Sequence, residues 1–310
     1  MSSKNYLLNK ALVLPVLAII FVSGCIGSGD TTEFGNGVVI QAWEPDFSRL
    51  YSGETVQLQL KVQNQGEIDA TGLEAKIMGI DVGRDGWDLD TTVGSADRDL
   101  LLAPNPDTNT PGEVWTIIWS GTAPELVRGM EHTYEPIMRL SYVYSGTATK
   151  TITLVDSQEL RRLIQQGKSL PSQPTAYTAG PLSIEVQTGN YVKTQKEDDP
   201  FPINILITNT MWSSGGSTIP VDGSGLRSPR NYNYPVHLKI EMPDGLRLDR
   251  DTCDTDAWYD LWKGETAEIT CQVEITNMPD EGERLDKVMK FYIDYGYKID
   301  AQTSITVVGQ

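Results

Sequence analysis

The stretch "MRLSYVYSGTATKTITLV" at 138–155 lies without a gap over "FYIDYGYKIDAQTSITVV" at 291–308. Tyr142 and Tyr295, Tyr144 and Tyr297, Ala148 and Ala301, Ile152 and Ile305, Thr153 and Thr306, and Val155 and Val308 are identical across the overlap. In both copies apolar and polar residues alternate, the period of a strand with one buried and one wet face. Upstream, "GEVWTIIW" (112–119) matches "GETAEITC" (264–271) with a one-residue shift, "KVQN" (61–64) matches "LITN" (206–209), and "LEAKI" (73–77) matches "VHLKI" (236–240). The order of matches is the same in both halves, so one β pattern is used twice. In this register Trp119 falls opposite Cys271. The first half fills that core position with an indole, and the second is expected to use a disulfide.

The same alternation runs through "VQLQLKVQN" (56–64), where Val56, Leu58, Leu60 and Val62 alternate with polar residues, and through "VWTIIW" (114–119). Clusters of glycine, proline, asparagine and aspartate separate the runs and mark turns. Short alternating strands with frequent turns predict an all-β fold of two antiparallel β-sandwiches. Their expected ranges are 38–155 and 179–310, each with its own core. Between them, 156–178 reads as a helical linker. Asp156 can cap its helix with Glu159 three residues on, Leu160, Leu163 and Ile164 form a narrow apolar stripe, and Gly167 and Pro171 end it. That stripe either packs on one sandwich or stays free for a partner.

The stretch "SGETVQLQLKVQNQGEIDATGLEAKI" (52–77) resembles the opening strands of CARDB-like and related immunoglobulin-like modules of archaeal and bacterial surface proteins. Gly53-Glu54 leading into an alternating strand and the turn Asn64-Gln65-Gly66 carry the resemblance. In the second half only Asn209 of the turn survives. The resemblance implies that both sandwiches are immunoglobulin-like, and it implies no active site.

The N-terminus carries Lys4 and Lys10, then a run from Ala11 to Val22 that is apolar except for the break at Pro15. A spanning helix needs about 20 apolar residues, whereas a secretory signal needs roughly 7–15 before small residues at the cut. Residues 1–24 therefore read as an export signal helix. Val22-Ser23-Gly24-Cys25 resembles the lipobox of secreted lipoproteins, which implies cleavage before Cys25 and a lipid on its thiol. An ordinary signal cut elsewhere and an uncleaved anchor are the alternatives. Residues 25–37, rich in glycine, serine and threonine, read as a flexible tether of roughly 20 Å. The leader, the lipobox and "CIGSGD" together look like an archaeal lipoprotein. The expected place is the cell surface, lipid-anchored to the outer face of the cytoplasmic membrane.

Export also bears on the cysteines. With Cys25 lipidated, Cys253 and Cys271 remain as an even pair in an oxidising compartment, so a disulfide is expected. The net charge of −17 repels nucleic acid and anionic headgroups. Two cysteines and the histidines His132 and His237 do not supply a zinc site at these spacings. Asp81, Asp85, Asp88 and Asp90 crowd one loop and make weak calcium candidates, although their spacing departs from the EF-hand pattern and a solvated loop explains them as well. No cofactor is expected.

No nucleophile elbow, P-loop or His-Glu-x-x-His motif occurs. The chain is thus read as a non-enzymatic binding or structural module of the envelope, its partner another envelope protein or a surface glycan. A secreted carbohydrate-active enzyme, or its accessory carbohydrate-binding protein, is the alternative. The second half is longer by 18 residues between Asn209 and Val236 than the first between Asn64 and Leu73. The added loop carries Trp212, Arg227, Arg230, Tyr232 and Tyr234, residue types that anchor interfaces. It is read either as a partner-binding loop or as a lid on its own domain. Trp258, Tyr259 and Trp262 form a second aromatic cluster, suited to stacking on sugars or to closing a core.

Overall fold

A computed structural model describes residues 37–310 except 84–85, 96–98, 195–199 and 224–225. The signal segment, Cys25 and Asp85 therefore lie outside the described residues. Among the described residues the fold is mostly β, with several sheets and one α-helix.

In the first half β1 (Val38–Pro45), β2 (Thr55–Asn64) and β4 (Val114–Thr122) pair antiparallel with the short strand Asp88–Leu89 at one edge. In the second half β6 (Leu182–Gln187), β7 (Pro200–Asn209) and β10 (Thr266–Ile275) do the same with Leu246–Leu248. Periodicity decides which side chains go in. Val56, Leu58, Leu60 and Val62 are buried while Gln57 and Lys61 between them are exposed. Each such apolar side chain contributes about 1.5–3 kcal/mol by leaving water.

Against these sheets lies one long sheet that runs through both halves. Its order is β9 (Asp256–Asp260), β8 (Pro235–Glu241), β11 (Arg284–Gln302), β5 (Ile137–Asp156), β3 (Ala70–Met78) and Val93–Ser95. Strands β5 and β11 hold the stretches that reveal the repeat, and they pair antiparallel without a break from Ile137↔Gln302 to Val155↔Arg284. The repeat leads one to expect a separate core in each half. Instead the inner faces of β5 and β11 pass from one half to the other, and the buried apolar residues of both halves form one cluster apart from Val155, Leu163 and Leu170 beside the helix.

The ends of these strands are exchanged. The C-terminal strand β12 (Ile305–Val308) pairs with Arg49–Tyr51 in parallel and with Glu131–Tyr134 antiparallel, both in the first half. Its repeat equivalent, the end of β5, pairs in parallel with Val192–Thr194 and antiparallel with the start of β11, both in the second half. Each repeat thus lends its last strand to the other. Equivalent hydrogen bonds mark the exchange, Thr133 with Thr306 at 3.0 Å and Thr153 with Asp286 at 2.6 Å.

Four tyrosines fill the middle of the long sheet. Tyr142 and Tyr297 lie 5.8 Å apart, Tyr144 and Tyr295 6.1 Å, with closely similar ring angles of 50° and 49°. The Tyr295 hydroxyl accepts the Leu182 N–H, and the Tyr144 hydroxyl accepts the Ile68 N–H and donates to the Ala179 carbonyl. Burial pushes the Tyr144 phenol up to about 12 and raises the other three as well.

The cysteines of the second half behave as the pairing arithmetic suggests. Cys253 and Cys271 are bonded, with Cα atoms 5.4 Å apart. Cys271 faces Ile203 and Trp119 faces Leu58, which are repeat equivalents. Trp119 meets Trp43 edge to face at 5.9 Å, so an indole stands where the second half places Cys271.

Helix α1 (Ser157–Gln165) comes directly after β5. The Asp156 carboxylate accepts the Gln158 N–H at 2.7 Å as N-cap, while Glu159 pairs with Arg162 at 2.6 Å instead of closing a capping box. Leu163 packs with Val155 and Leu170, Leu160 lies at the edge of that cluster, and Ile164 stays 64% exposed. The apolar stripe is therefore one residue narrower than its sequence spacing implies.

Candidate binding surface

Strand β7 ends at Asn209, whose buried side chain organises the two loops nearest to it. Its amide donates to the Gly216 and Gly264 carbonyls at 2.9 Å each, and its Oδ1 accepts from the Met211 N–H and from the Tyr297 hydroxyl. Asn64 does the same work in the first half, donating to Ile68 and Leu101 and accepting from Gly66. The sequence marks both residues as turn formers. Their burial and their reach to two separate loops come from the fold.

In the second half the two loops held by Asn209 carry aromatics. The turn after β9 is pinned by buried Leu261 and closed by the Trp262 N–H on the Thr266 carbonyl at 2.7 Å. Lys263 and Gly264 both take positive φ there, 53° and 79°. A Cβ on Gly264 would stand 3.0 Å from the rings of Trp212 and Tyr234, so glycine lets both aromatics settle on the turn. Trp262 points out and is 72% exposed, with the Lys263 ammonium 5.7 Å from its ring centroid. Trp212 opens a single 3₁₀ turn, Trp212–Ser214, and is 40% exposed. Tyr234 is half-buried against the core and its N–H is held by Asp260. Trp212, Tyr234 and Trp262 thus border one ordered turn.

The rest of the inserted loop is partly a lid. Ser217–Ile219 adds a short strand to the edge of β11, burying Ser217 and Thr218. Arg227 pairs with Asp222 at 3.3 Å across a small hairpin, Arg230 is exposed, and Tyr232 is half-buried. Sequence spacing groups Trp258, Tyr259 and Trp262, but the structure separates them. Successive residues of β9 face opposite ways, so Tyr259 packs on the core while Trp258 lies on His237 with centroids 4.9 Å apart.

That histidine belongs to a polar cluster on the outer face of the long sheet. His237 Nε2 is 2.6 Å from Asp256 and Nδ1 is 3.8 Å from Asp294, whose other oxygen accepts the Ser145 hydroxyl at 2.6 Å. A carboxylate stands between the serine and the imidazole, so the imidazole does not reach the hydroxyl proton and the set does not make Ser145 a nucleophile. His132 stands apart, edge to face with Tyr134.

Asp81, Asp88 and Asp90 are exposed, and the backbone of Asp81 is engaged by the Trp87 N–H. Among the described residues no three His, Cys, Asp or Glu side chains converge as a metal site. Among them also no helix is long and apolar enough to cross a membrane.

No family model and no curated protein matches the chain. Among solved structures, a chain described as "The Enterococcus faecalis MSCRAMM ACE binds its ligands by the collagen Hug Model" aligns over 87% of this chain and 95% of its own. The identity is 6% and the TM-score 0.11, too low to carry an argument about fold or function.

Proposed function

We propose that the chain is an exported cell-surface lipoprotein, anchored through a lipid on Cys25, that acts as a non-enzymatic binding module of the envelope. Its two halves are, in this reading, immunoglobulin-like sandwiches of the kind found on archaeal and bacterial surface proteins, linked through α1. Its partner is another envelope protein or a surface glycan.

The observation that carries the reading is Trp262, a large apolar side chain 72% exposed on a turn that is ordered rather than slack. Leaving an indole in water on a fixed turn forgoes the burial that stabilises the rest of the fold, and such residues gain that burial in interfaces. Trp212 extends the surface, and Lys263 supplies a cation on an acidic protein.

Two experiments test the reading. Cys25→Ser is expected to release the protein from the membrane fraction, and unchanged mature mass and partition would remove the anchor. Envelope solubilised in detergent and passed over the intact lipoprotein is expected to yield a partner that the double variant Trp212→Ala/Trp262→Ala fails to retain.

A further inference from the structure

A cleft of about 460 Å3 lies between β6 and the segment after α1, and it shares no residue with the tryptophan surface. One wall is the outer row of β6, where Ser183, Glu185 and Gln187 alternate with buried Leu182, Ile184 and Val186. The other wall is the segment 172–177, which covers the strand edge. Two sets of bonds fix that segment. The Thr175 hydroxyl accepts the Val186 N–H and donates to the Val186 carbonyl, while Ala176 and Tyr177 pair with Thr149 and Ala148 of β5. Both walls are therefore held before any ligand arrives, and the volume falls in the range of roughly 300–1,000 Å3 usual for small-ligand sites.

The groups that line the cleft define what fits it. Tyr177 stands on its fixed strand with 51% of its surface exposed, so a flat apolar face is left in water. Lys150 is 6% exposed; its ammonium donates to the Gln173 carbonyl and makes no ion pair among the described residues. Burial lowers its proton affinity, opposed by the field of Glu185. The repeat does not demand this lysine, because the equivalent position in the other copy is Thr303. Glu185 and Gln187 are exposed on the β6 wall, their side chains joined at 3.3 Å. An ammonium only donates and a carboxylate only accepts, whereas a hydroxyl does both. A cationic ligand is opposed by Lys150 and an anionic one by Glu185. An uncharged ligand rich in hydroxyls satisfies both groups, and Tyr177 offers its ring to the C–H face of a sugar.

We propose that this cleft binds an uncharged pyranose of a surface glycan, its ring face on Tyr177 and its hydroxyls on Lys150, Glu185 and Gln187. The site is independent of the reading of Trp262.

The test uses the full chain, with the amides of Ser183–Gln187 and the Trp262 indole followed by NMR. Methyl glucoside, methyl galactoside, methyl mannoside and N-acetylglucosamine are added singly. At least one of them is expected to shift the cleft amides saturably and to bind at least about tenfold more tightly than glucuronate or glucosamine, which carry opposite charges. Tyr177→Ala is expected to weaken that binding at least about tenfold and Tyr177→Phe to keep most of it. Trp212→Ala/Trp262→Ala is expected to bind the sugar as the wild type does, so loss of either site is read apart from the other. No shift with any of these sugars, charged sugars binding as tightly as uncharged ones, shifts at Trp262 instead of the cleft, or unchanged binding by folded Tyr177→Ala overturns the proposal. Alanine, a zwitterion able to bridge Lys150 and Glu185, binding more tightly than the sugars overturns the saccharide as occupant.

Discussion

Val143 and Gly296 face each other across β5 and β11, and they are also equivalent positions of the repeat. A pseudo-two-fold axis passes through that pair. It makes Tyr142↔Tyr297 and Tyr144↔Tyr295 images of one another and gives the sheet the self-complementary pairing of a symmetric dimer within one chain. The symmetry breaks at its centre. A Cβ on Gly296 would lie 2.3 Å from Val221 and 2.9 Å from the Ile219 carbonyl, because the inserted loop packs there. Gly296→Val, which copies the first repeat, is therefore expected to destabilise the fold by about 1–3 kcal/mol through overpacking. Chemical denaturation checks this, and a neutral result would show that the loop yields.

Strand exchange predicts where a local lesion is felt. Ile305 is buried in β12, and Ile305→Ala is expected to cost about 2–5 kcal/mol. Hydrogen exchange should then rise in Glu131–Tyr134 and around Arg49–Tyr51 of the first half, ahead of Val192–Thr194 of the second. Loss of protection confined to the second half would contradict the pairing.

The sequence reveals that 138–155 and 291–308 are equivalent, because side-chain identity survives at Tyr142, Tyr144 and their counterparts. It does not reveal that these stretches pair with each other. Antiparallel pairing across a dyad leaves the same alternation as pairing within each half, so the joined core stays hidden. The disulfide is legible from an even pair of cysteines in a chain read as exported. Trp262 is not legible as an exposed side chain, since the turn that presents it depends on the positive φ of Lys263 and Gly264 and on the Trp262 N–H bond to the Thr266 carbonyl.

The buried phenols predict alkaline unfolding. Their folded-state values lie above the unfolded value near 10, so the folded state holds more protons there and the slope of stability against pH is negative. Stability is expected to be level below about pH 10 and to fall as pH rises toward 12, the value to which burial pushes Tyr144. Absorbance of phenolate should show four tyrosines ionising together with loss of structure. Free titration of all tyrosines in a folded chain would contradict this.

Removing the bridge tests how the second half is held. Cys253→Ala/Cys271→Ala is expected to lose about 3 kcal/mol in the chain-entropy model, roughly 5 °C in Tm for a chain of this size. Reduction of the wild-type chain should shift Tm the same way, and an unchanged Tm in both would contradict the expected role of the bridge.

The proposed binding through the turn at Trp262 is measured most directly by titrating envelope vesicles with the labelled chain, its proposed lipid anchor already seated in detergent-free nanodiscs, which removes that anchor as a source of association. Trp212→Ala/Trp262→Ala is expected to raise the half-saturation concentration at least about thirtyfold, since losing a good anchor costs about 2 kcal/mol or more. Trp262→Ala alone should leave the thermal transition nearly in place, because the side chain is 72% exposed. Half-saturation unchanged in the folded double variant would contradict the account.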